Sequence, residues 1–141
     1  MQNKIYEKYD FWDLLLAFRK SILENIRKEG LRYDLTFSQI EVLDSIKSSG
    51  KETMKSIAEY LKITPPSATE IVAEMEKKGL VKRKKNKNDR RIVFVVMTPA
   101  AKKLSASLYK RKEFVLKKML ARLNKKDYEH LERIIRVLIK N

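Results

Sequence analysis

Two Thr-Pro pairs, Thr64-Pro65 and Thr98-Pro99, constrain the fold more than any other feature of the chain. In each, the threonine hydroxyl can cap a helix, and the proline takes the first helical position, where its missing N–H costs nothing. Both pairs therefore mark helix starts. The first opens a helix from about Pro65 to Lys78 with Ala68, Ile71, Val72 and Met75 facing inward, and Gly79 is its expected left-handed terminator. Leu80 to Lys84, the polar stretch Lys85-Asn86-Lys87-Asn88-Asp89-Arg90, and the Val- and Phe-rich run Arg91 to Met97 then read as strand, turn, strand. A helix, a basic hairpin and a second helix follow one another without a linker.

Periodicity supplies the rest. Ile5, Tyr9, Trp12, Leu16, Leu23 and Ile26 lie on one face of a first helix ending near Gly30. Thr36 caps a second helix carrying Phe37, Ile40, Leu43 and Ile46, and a short third helix carries Met54, Ile57, Ala58 and Leu61. The helix after Thr98-Pro99 presents Leu104, Leu108, Val115 and Met119, and Asn124 caps a last one with Tyr128, Leu131, Ile135 and Leu138. With only three Gly and three Pro in 141 residues, a turn-rich all-β fold is excluded. The expected class is mainly α with a small β-hairpin wing: a winged helix-turn-helix over residues 35–97, flanked by long helices in 1–34 and 98–141, one compact domain overall. The apolar stripes of the terminal helices exceed what the central globule covers, which asks either for a partner or for the three long helices to pack on one another within a monomer.

Charge carries the functional reading. The chain holds 33 Lys plus Arg against 18 Asp plus Glu, a net charge of +15, but residues 1–76 hold 11 basic and 13 acidic side chains. The excess sits in residues 77–91, nine basic against one acidic, and in residues 102–122, eight against one. Such a patch binds polyanions by releasing counterions. Lys84, Lys85, Lys87, Arg90 and Arg91 surround the hairpin turn as a basic tip of the right size to cross a nucleic-acid backbone and reach a minor groove. Pro66, Ser67, Thr69 and Glu70 occupy the N-terminal end of the fourth helix, where open N–H groups favour phosphate and short side chains approach base edges. Two alternatives stand beside this: Ser67 and Thr69 bond only their own backbone, and Glu70 either accepts from a cytosine amino group or touches no base.

Other chemistry is thinly supported. Without cysteine there is no disulfide, thiolate metal site or cysteine nucleophile, and the single histidine, His130, has no paired serine motif and no carboxylate cluster. No catalytic residue, metal or cofactor is expected. The longest apolar runs, Leu14 to Phe18 and Ile92 to Met97, are far too short to span a bilayer, and Glu7, Asp10 and Asp13 are unlike a basic leader, so a cytoplasmic protein without membrane contact is expected. Two rival classes explain the charge without sequence reading: a non-specific basic packaging or RNA-binding protein, and a module that binds an acidic protein through the 102–122 surface.

Three segments resemble the MarR family of winged helix-turn-helix transcription regulators. Leu35-Thr36-Phe37-Ser38-Gln39-Ile40-Glu41-Val42-Leu43 is similar to the family's L-T-x-x-Q-x-x-V-L segment. Ile57-Ala58, Leu61 and Thr64 through Val81 resemble its third helix, turn and recognition helix, and Asp89-Arg90-Arg91 with Met97-Thr98 resembles the wing's D-x-R and downstream L-T. Met97 and Ala101 depart from the family's L-T-x-x-G, and Glu70 stands where many relatives are basic. The resemblance implies a homodimer through the first, fifth and sixth helices, binding double-stranded DNA at an inverted-repeat operator, with repression the commoner outcome. It also implies that Arg91 enters the minor groove, that Asp89 stabilises the wing by pairing with a cation, and that a small aromatic or anionic effector binds between dimer helices and reading head. Trp12, Phe18, Tyr33 and Phe37 are the candidates for lining that pocket; at helical spacing they also suit a core.

Overall fold

The computed structural model describes residues 10–140. Its elements are α1 (Phe11–Arg32), α2 (Phe37–Ser49), β1 (Glu52–Thr53), α3 (Met54–Leu61), α4 (Pro65–Lys77), β2 (Val81–Lys85), β3 (Val93–Met97), α5 (Pro99–Leu120) and α6 (Lys125–Leu138). Ile5 and Tyr9, assigned above to the first helix, lie outside the described residues.

Each helix start has a side-chain cap. Asp10, Thr36, Thr53, Thr64, Thr98 and Asn124 all accept a backbone N–H from the third residue beyond, which satisfies one of the donors a helix start leaves open. Thr36 does more: the Gln39 side chain accepts from its backbone N–H at 3.2 Å, closing a reciprocal box. Gly79 takes the expected left-handed conformation, with φ 69°, at the end of α4.

Gly30 does not end the first helix. It is buried inside α1, which continues to Arg32, and the left-handed residue of the corner is Asp34, with φ 55°. A Cβ built on Gly30 would meet Ile40 Cδ1 at 2.5 Å and the Leu35 carbonyl oxygen at 3.0 Å. The glycine lets α2 pack against α1. Two further features went unread: the two-residue strand β1, too short for a periodicity signal, and Lys62, a left-handed C-cap at φ 55° where no glycine marks the turn.

The sheet runs β1-β3-β2, all antiparallel, with Val81 opposite Met97 and Lys85 opposite Val93 in the wing, and Glu52 opposite Val95 at the other edge. The second wing strand begins at Val93 rather than Arg91, because residues 89–91 form the turn. Ile40, Leu43 and Ile46 of α2, Ile57 of α3, Val72 and Met75 of α4 and Val95 of β3 are all within 1% of full burial and form the centre of the core. Burial of each such side chain is worth about 2 kcal/mol, so this centre fixes α4 and the wing relative to one another.

α1 and α5 join this globule through charge as well as packing. Arg111 donates from Nε and Nη2 to the Glu29 carboxylate at 3.0 and 3.2 Å, and Lys112 Nζ lies 2.5 Å from Asp44 Oδ2 of α2. α6 buries none of its residues.

Candidate nucleic-acid interface

α4 presents its first turns to solvent, but their hydroxyls are not idle. The Ser67 and Thr64 hydroxyls lie 2.9 Å apart, and Thr69 Oγ1 donates to the Pro65 carbonyl at 3.0 Å. Both bonds are local, and both leave oxygen lone pairs open. Pro66, Thr69 and Glu70 are exposed beside them, with Ser67 half-buried. The surface they form is polar, narrow and bounded by a helix start, which suits a base edge or a phosphate.

What aims α4 is a residue that sequence reading noticed only as part of a motif. Gln39 is 1% exposed, its Nε2 donates to Glu74 of α4 at 3.3 Å, and its Oε1 also accepts from Lys78 Nζ at 3.4 Å. Lys78 reaches on to the Asp34 carbonyl at 2.5 Å. The α1–α2 corner and α4 thus share one polar network, satisfied throughout, and such networks fix geometry because breaking one member strands the others.

The wing is hinged on the same helix. Arg83 of β2 pairs with Glu76 of α4 at 3.3 Å, and Thr98 donates to the Gly79 carbonyl at 2.7 Å while capping α5. Beyond Val81, every residue of β2 is exposed, as are Lys87, Arg90 and Arg91 in the turn. The five tip cations read from sequence, Lys84, Lys85, Lys87, Arg90 and Arg91, therefore all stand on one solvent-facing hairpin.

Asp89 organises the turn. Its carboxylate accepts from Arg91 Nε at 3.1 Å, Nη2 at 3.2 Å and the Arg91 backbone N–H at 3.0 Å. The side-chain bonds first, then the backbone bond, hold its carboxyl below the usual carboxylate range, so the turn keeps its charge at neutral pH. The Arg91 side chain remains 91% exposed, with its other N–H donors facing solvent.

The four aromatic candidates do not come together within this chain. Trp12 and Phe18 are exposed on the N-terminal part of α1, whereas Tyr33 and Phe37 are half-buried at the α1–α2 corner. His130 is exposed on α6, and among the described residues no three His, Cys, Asp or Glu side chains gather at metal-binding distance. No described helix is long and apolar enough to cross a membrane.

Residues 35–93 match the model of the MarR family. Over 136 residues the chain is 29% identical to the uncharacterized HTH-type transcriptional regulator YfiV of Bacillus subtilis, across 94% of this chain and 85% of the relative. It is 31% identical over 85 residues to the HTH-type transcriptional repressor MdtR of the same organism, spanning 60% of this chain and 52% of that protein. The apo form of wild-type MarR from E. coli shares its fold with a TM-score of 0.84 at 19% identity, covering 94% of this chain and 98% of that one. A Staphylococcus aureus MepR variant bound to an oligodeoxyribonucleotide has a TM-score of 0.69 at 16% identity, covering 94% and 97%.

Proposed function

From the premise that the chain belongs to the MarR family of winged helix-turn-helix transcription regulators, we propose that it is a sequence-specific repressor acting as a homodimer. The observation that carries this reading is the pairing of two surfaces on one rigid frame: the open N-terminal turns of α4, and a hairpin whose cations are all exposed. α4 enters the major groove, where Pro66, Ser67, Thr69 and Glu70 meet base edges and phosphates. The wing follows the backbone, with Lys84, Lys85, Lys87 and Arg90 on phosphates and Arg91 in the minor groove, kept in shape by Asp89.

The dimer is the proposed answer to the apolar surface left open. Ile134, Ile135, Leu138 and Ile139 of α6 are exposed, as are Phe11, Trp12, Leu14, Leu15 and Leu16 of α1. Surface of that extent is rare on a soluble monomer. A two-fold pairing through α1, α5 and α6 covers it and sets two reading heads about one helical turn of DNA apart, which calls for an inverted repeat. A small aromatic or anionic effector is proposed for the crevice at Tyr33 and Phe37, with Trp12 and Phe18 reaching it only in the dimer. The protein works in the cytoplasm, where its DNA is.

The test is enrichment of sheared genomic DNA by the purified protein at about 0.15 M salt, a level at which non-specific phosphate contacts are already weakened. A short inverted repeat should dominate the recovered fragments. Flat enrichment would overturn sequence-specific reading and leave a basic nucleic-acid binder.

A further inference from the structure

The charge of α5 finds no place in the reading above. Two of its cations, Arg111 and Lys118, with Arg122 in the turn just beyond it, face Lys28 and Arg32 of α1 across a cavity of about 520 Å³. One carboxylate, Glu29, lies among them, and it is already bound by the Arg111 fork, with Arg32 Nη1 a further 3.7 Å away. Lys28, Lys118 and Arg122 pair with no carboxylate among the described residues. Five cations against one acid leave four positive charges without compensation around a single concavity.

Like charges repel, and a protein gains nothing by collecting them from two helices into one groove unless an anion sits between them. On the α5 side, the groove lies away from the apolar residues that face α6. At about 100° per residue, Arg111 and Lys118 fall on the side of α5 opposite Leu116 and Leu120, which pack toward α6.

We infer that the groove between α1 and α5 binds a small, multiply charged phosphate ligand. The charge count selects the class. A monocarboxylate would answer one of the four charges, whereas an oligophosphate or bisphosphate answers two to four and offers the oxygens that guanidinium forks bind in pairs. Phe114, Val115 and Met119 line the same cavity and leave room for an uncharged portion of the ligand. Because Arg111 already holds Glu29, the site has a built-in competitor. A ligand phosphate that takes the Arg111 fork releases a buried carboxylate, so occupancy and the α1–α5 junction are coupled. The inference does not rest on DNA recognition, and its readout is ligand binding alone.

Titration calorimetry of the full chain with tripolyphosphate at about 0.15 M salt tests it, with benzoate as the monovalent comparison. The groove variant K118A/R122A removes two exposed cations, and the wing variant K84A/K85A removes the same charge at the other surface. Tripolyphosphate should bind the native protein, bind the wing variant equally, and bind the groove variant about tenfold more weakly or worse. Circular dichroism should show all three equally folded, since neither pair touches the core. No binding up to about 1 mM, which corresponds to about 4 kcal/mol, overturns the site. Equal losses in both variants reduce it to general charge attraction, and benzoate binding as tightly as tripolyphosphate overturns the class of ligand.

Discussion

At the scale of single residues, Arg91 and Lys85 sit a few positions apart on one hairpin and should behave differently. Arg91 is ordered by Asp89 and points a partly committed guanidinium outward. Arg91→Ala should weaken binding to the preferred duplex by about 1–3 kcal/mol and relax discrimination at one step of the site, as read by competition with mutated duplexes. Lys85→Ala should instead weaken every duplex alike and lower the salt slope of log affinity by about one unit. An unaltered slope would remove Lys85 from the phosphate contacts. These two side chains were legible in the sequence because charge beside a turn is a local signal. Gln39 was not legible as the residue that aims α4, because its partners Glu74 and Lys78 are brought to it only by the folded core.

At the scale of elements, the helix starts were readable from Thr36, Thr64, Thr98 and Asn124, whose hydroxyl or amide reaches only three residues along the chain. Gly30 misled for the complementary reason. A glycine at a helix end usually supplies left-handed backbone, whereas here it supplies space for Ile40, a tertiary demand invisible to local pattern. Gly30→Ala should therefore destabilise despite the better helix propensity of alanine, by about 1–3 kcal/mol in denaturant melts, because Ile40 is fully buried and cannot retreat. The Glu29–Arg111 junction gives a pH signature. Hydrogen bonds from Arg111, opposed by burial, hold the Glu29 carboxyl below its ordinary range. Its contribution is thus complete above the ordinary carboxylate pKa and is lost as pH falls through the lowered one. Thermal melts of the native protein should fall faster in acid than those of Glu29→Gln, which has no proton to take up at that position.

At the scale of the whole molecule, the distribution of apolar residues sets which helices share the core and which do not. The core extends from α2, α3, α4 and β3 into α5 through Ala101 and Leu108, whereas the α6 stripe ends in solvent. The dimer proposed above places a second chain across that stripe. Ile135→Lys should therefore leave the fold intact, since Ile135 is 44% exposed, while converting the dimer to monomer in sedimentation and abolishing tight binding to a two-half-site duplex. A variant that stays dimeric would move the interface elsewhere.

Thr98 joins two mechanical regimes. Its hydroxyl grips the Gly79 carbonyl at the root of the wing while its own residue begins a helix of 22 residues. Such a helix is a rod about 33 Å long. Tilting it by about 5° from its far end displaces the near end by about 3 Å, close to the 3.4 Å step between stacked bases. In the proposed complex a tilt of that size would carry the root of the wing about one base step along the duplex.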